Sequence, residues 1–134
     1  MRQVNRYTDI DVKTVDGGRL IIMLYDGAIR FLKEAAVACR KRDFKKKGTL
    51  IGRAERIVGE LQACLNFEVG GEICKNLDQL YSWMILHLTE ANLKTSAEHC
   101  ERVVSILSTL RDAWETAVNQ LRQEKAADPG LDAR

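Results

Sequence analysis

At 134 residues the chain has the length of one ordinary domain, and a hydrophobic share of 46% lets it bury a core without disulfide or metal staples. Its 21 basic and 19 acidic side chains leave a formal charge of only +2, which excludes a strong field pulling it onto nucleic acid or a membrane surface. The single proline, Pro129, lies near the C-terminal end, so no ring breaks a helix before it and the composition points to an all-α fold.

Residues 1–15 scatter Val4, Tyr7, Ile10, Val12 and Val15 without a 3.6-residue period and read as an extended N-terminal arm. The N-terminus has basic residues but no apolar stretch behind them, and the longest aliphatic run, Leu20 to Leu24, is too short to span a bilayer. The expectation is a soluble, unexported, cytoplasmic protein without direct membrane insertion. Asp16 stands where an N-cap would, and a helical pattern runs from about Gly18 to Arg42. In Arg40–Gly48 six of the nine residues are basic but the only aromatic is Phe44, so the segment reads as a solvated turn rather than a nucleic-acid contact.

The second helix is predicted from about Thr49 to Phe67, with Leu50, Ala54, Ile57, Val58, Leu61, Cys64 and Leu65 at helical spacing and Gly70-Gly71 closing it. A third runs from Ile73 to about Lys94. Thr95-Ser96-Ala97-Glu98 reads as a capping box that opens a fourth, which continues to Lys125. Long helices joined by short turns lie antiparallel to their sequence neighbours, giving an up-down-up-down four-helix bundle over residues 16–125. The arm at 1–15 and a flexible tail at 126–134 flank it.

Two of these helices carry more apolar surface than a bundle interior uses. Wound at about 100° per residue, helix 1 spreads Ile22, Tyr25, Ile29 and their apolar neighbours over an arc of about 200°, where a core stripe needs somewhat over 100°. The expectation is a second face on helix 1 that its neighbours leave uncovered. On helix 3, Leu86 and Leu93 fall together on the side away from the core stripe, and Trp83 points elsewhere. Gly52 and Gly59 lie seven residues apart on the non-core face of helix 2, each costing about 1 kcal/mol relative to alanine. A bare backbone there packs inside the bundle, is a neutral choice at the surface, or admits a visiting helix.

Cys39, Cys64, Cys74 and Cys100 show no Cys-x-x-Cys pair and read as packed reduced thiols, so no metal site is expected. His87 and His99 have no nucleophile constellation around them and read as helix-surface or boundary residues. Nothing calls for an enzyme or a cofactor.

The string Leu20-Ile21-Ile22-Met23-Leu24-Tyr25-Asp26-Gly27-Ala28-Ile29-Arg30-Phe31-Leu32 resembles the opening helix of FliS-type flagellar export chaperones. It is followed, in that family's order, by Gly70-Gly71-Glu72-Ile73, Asn76-Leu77, Leu80-Tyr81, Leu88 with Glu90-Ala91-Asn92, and Leu110-Arg111-Asp112-Ala113-Trp114-Glu115. The resemblance implies a four-helix chaperone that binds the disordered C-terminal segment of flagellin, prevents its premature polymerisation and presents it to the flagellar type III export gate. It also implies partner-binding roles for Tyr7 and Ile10 as arm residues shielding a groove, for Tyr25, and for Asn92 and Trp114. Tyr25 and Trp114 equally fit core anchors with a polar handle. The family usually opens helix 1 with Ser-Pro, where this chain has Val15-Asp16-Gly17-Gly18-Arg19. The competing reading is a helical adaptor that associates with itself through Leu86, Leu93 and helix 1.

Overall fold

The structure, a computed structural model, describes residues 15–127; the proposed arm residues Tyr7 and Ile10 and the tail beyond 127 lie outside them. Four helices follow in order: α1, Val15–Arg40; α2, Phe44–Ala63; α3, Phe67–Lys94; and α4, Ala97–Ala127. Each packs on its sequence neighbours and α4 closes the ring against α1. Contacts at opposite ends fix the antiparallel sense of that closing pair: Gly18 meets Val118, Arg111 Nε pairs with Asp26 Oδ1 at 2.9 Å, and Arg40 pairs with Glu101 at 2.7 Å. The expected all-α up-down-up-down bundle is what forms.

The turns depart in detail from the sequence expectation. Arg42 takes a left-handed φ of 60°, the Asp43 amide donates to Ala38 O at 2.9 Å, and Asp43 Oδ1 accepts from the Lys46 amide. One residue therefore closes α1 and caps α2, and α2 starts at Phe44 rather than near Thr49. At the next turn Asn66 Oδ1 accepts from the Glu68 amide, so α3 opens ahead of the two glycines. Gly70-Gly71 does not end helix 2; Gly71, with φ 53° and ψ −121°, is a break inside α3. At the third turn Thr95 is the left-handed C-cap of α3, and Ser96 Oγ accepts from the His99 amide. The cap of α4 is thus Ser96, one residue beyond the capping box read from Thr95, because Thr95 is used to reverse the chain.

The core is a continuous stack that includes Leu32, Ile51, Val58, Met84, Leu88 and Leu107, all fully buried. Helix α1 lies between α2 and α4, and most of its wide apolar arc is consumed by having two partners. Its surplus reduces to Leu20, Met23 and Val37, which are exposed. Across the interior, the phenols of Tyr25 and Tyr81 hydrogen-bond to each other, joining α1 to α3.

Candidate partner-binding surfaces

The register of α2 on α3 is set by polar bonds at the edge of their interface. Thr89 Oγ1 donates to Glu55 Oε2 at 3.0 Å, and Gln62 Nε2 donates to Asp78 Oδ1 and Ser82 Oγ at 2.8 Å each. In that register Gly52 lies level with Leu93 and Gly59 with Leu86. A Cβ built on either glycine meets nothing within 4 Å, so neither glycine packs inside the bundle. Leu86 and Leu93 are 68% and 80% exposed. Leaving two such side chains in water forgoes about 1.5–3 kcal/mol apiece, and here they stand beside backbone stripped of side chains.

Asn92 lies between the same two helices. Its carbonyl accepts from Lys47 Nζ at 2.7 Å, so the buried Lys47 ammonium satisfies a last-turn carbonyl of α3 and ties its C-terminal end to the first turn of α2. The Asn92 Oδ1 atom would stand 3.7 Å from a Cβ on Gly48. Four residues singled out in the sequence, Gly52, Gly59, Leu86 and Leu93, therefore lie on the outer side of the α2–α3 pair, while Asn92 lies within the interface between the two helices.

The remaining described ones do not join them. Ile22 and Tyr25 are 7% and 0% exposed and sit in the core, so in this conformation neither is presented to a partner; their place on the two-partner side of α1 buries them. Ile29 is half-buried against the core. Trp114 is half-buried on α4, within hydrogen-bonding reach of the Tyr25 phenol, and borders a different feature.

That feature is an apolar cavity of about 220 Å³ at the end of the bundle where α3 begins. Ile21 from α1, Leu61 from α2, Ile73 and Leu77 from α3 and Trp114 from α4 wall it, with Tyr81 on its inner side. It exists because the chain breaks at Gly71 and leaves the first turn of α3 off the line of the helix; a Gly-Gly pair soon after an Asn cap was its one sequence signal. Burial pushes the pKa of both phenols up, Tyr81 further because the Tyr25 phenol also faces it, so both remain neutral hydrogen-bonding groups. Burial likewise pushes the Cys64 thiol up to about 11 and Cys100 up to about 12, which makes them packing groups rather than nucleophiles. Such surfaces can accept apolar side chains and closely approaching backbone.

Among the described residues no helix is long and apolar enough to cross a membrane. The family model described as flagellar protein FliS matches residues 1–121. The chain is 32% identical over 123 residues to the flagellar secretion chaperone FliS of Vibrio cholerae, an alignment that covers 92% of this chain and 90% of that protein. It is 40% identical over 98 residues to the Salmonella typhimurium protein of the same name, covering 72% and 73%, and 29% identical over 125 residues to that of Bacillus subtilis, covering 93% and 92%. A four-helix architecture and a family match across nearly the whole sequence agree, and the chain belongs to the FliS family of flagellar secretion chaperones, a family of chaperones rather than enzymes.

Proposed function

We propose that this chain is a cytoplasmic export chaperone that binds the disordered C-terminal segment of flagellin, keeps it from polymerising early and delivers it to the flagellar type III export apparatus. Family membership supports the chaperone role. The observation that carries the binding mode is the α2–α3 face, where exposed Leu86 and Leu93 flank a backbone left open at Gly52 and Gly59. A segment with no core of its own hides its apolar stripe there by coiling into a helix, and the bare glycines admit that helix closely. The ordering cost of the guest is offset by a long apolar contact, and release requires no covalent step.

The test is calorimetry and light scattering on the full chain with a peptide spanning the flagellin C-terminal segment. A defined complex with a gain in helicity and a negative heat-capacity change is expected. A chain that ignores the peptide but doubles its mass with concentration, through the same leucines, would instead be the self-associating adaptor.

A further inference from the structure

On the opposite flank of α3, facing α4, Trp83, His87 and His99 form a three-ring stack, with centroids 4.5 Å and 4.2 Å apart. Glu90 lies one turn after His87, and its Oε2 is 3.3 Å from His99 Nε2. Donor atoms of His87, Glu90 and His99 all fall within 4.8 Å of one another. We propose that these three side chains form a binding site for one divalent transition-metal ion of the zinc class, bridging α3 and α4.

The donor set is the first reason. Two imidazoles and one carboxylate are the borderline nitrogen and oxygen ligands that zinc-class ions take, with a fourth position left to water. The spacing also fits: His87 and Glu90, at i and i+3, share one helix face, and the Thr95–Ser96 turn folds α4 back so that His99 completes the set. Donors that share one ion at about 2.1 Å stand no more than about 4.2 Å apart, so binding requires the two stacked imidazoles to turn out of their parallel arrangement toward the ion as the exposed Glu90 carboxylate closes on it.

The hydrogen bonds around the rings are the second reason. Arg102 Nη1 lies 2.9 Å from His87 Nε2, and because a guanidinium only donates, that nitrogen carries the lone pair and the ring proton sits on Nδ1. Ser96 Oγ holds His99 Nδ1 at 2.7 Å and aims Nε2 at Glu90, the outer-shell support that metal-binding histidines use. The cations of the neighbourhood, Arg102 and Lys94, the latter 3.7 Å from Glu90, occupy the places a metal ion would contest. Both are exposed and can swing away.

The test uses the full chain, stripped with chelator and titrated with Co²⁺ and then Zn²⁺. One ion per chain is expected, with cobalt d–d absorption and no thiolate charge-transfer band, which separates this site from the four cysteines. Binding should weaken at least about tenfold in His99→Ala and in Glu90→Gln, and tighten in Arg102→Gln, which removes the competing cation. Circular dichroism checks that each variant keeps its helices, and Cys64→Ser should bind as the parent does. Failure to take up either ion, a thiolate band accompanying uptake, or equal binding after the paired His87→Ala and His99→Ala change overturns the proposal.

Discussion

A Cβ added to Gly18 would stand 2.5 Å from Val118 Cγ2, so α1 and α4 meet there through a missing side chain. Gly18→Ala therefore gains helix propensity but forces Val118 aside, and the second effect dominates because Val118 is itself buried. We expect a loss of about 1–3 kcal/mol in urea unfolding. Adding Val118→Ala to Gly18→Ala should cost less than the two single changes sum to, which a double-mutant cycle measures.

Gly52 and Gly59 are the opposite case, with open space where a Cβ would go. Alanine at either position should raise stability by about 0.5–1 kcal/mol. Leucine at Gly59 should leave the fold intact and, if the proposed flagellin segment docks there, weaken its binding by filling the backbone gap. Stability and affinity moving together would argue against the groove.

Leu86→Ser and Leu93→Ser remove exposed side chains, so each should shift unfolding by no more than about 0.5 kcal/mol. If those leucines are buried by cargo, each substitution costs up to about 1.5–3 kcal/mol of binding, roughly ten- to hundredfold in Kd. Calorimetry on the same samples checks both numbers.

The Tyr25–Tyr81 bond makes a pH prediction. An unfolded tyrosine loses its proton near pH 10, whereas burial raises both folded values above that. The folded state therefore keeps its full advantage below pH 10 and loses it as pH rises past that point. Phenolate absorbance from these two residues should appear together with unfolding. Tyr25→Phe should cost about 1–3 kcal/mol by stranding the Tyr81 hydroxyl, and Tyr25→Phe with Tyr81→Phe should cost less than the sum of the single changes.

The helices were legible because apolar residues recur at helical spacing and no proline interrupts them. The ends were less so. Asp43 caps α2 only because Arg42 turns left-handed, a tertiary decision that a run of basic residues conceals. The glycines at 70 and 71 look like a terminator, yet Asn66 had already started α3, so the chain spends them on a break. Leu86, Leu93, Gly52 and Gly59 could each be placed on an outer face from periodicity, but their meeting on one flank depends on the register of α2 against α3. The width of the α1 arc misled, because a helical wheel does not reveal how deeply α2 and α4 seat against α1, whose exposed large apolar side chains reduce to Leu20, Met23 and Val37. His87 and His99 were read singly, and only the turn between α3 and α4 brings them together.

The positive-φ residue at Gly71 sets the four residues before it off the line of the rod. Phe67 to Gly70 form a short offset turn that is tied back to α3, where Cys74 Sγ donates to Asn66 O at 3.3 Å and Gly70 packs against Cys74. That turn carries Val69 to the rim of the cavity, so one glycine's backbone torsions, and not the packed interior, decide where the mouth of the cavity lies.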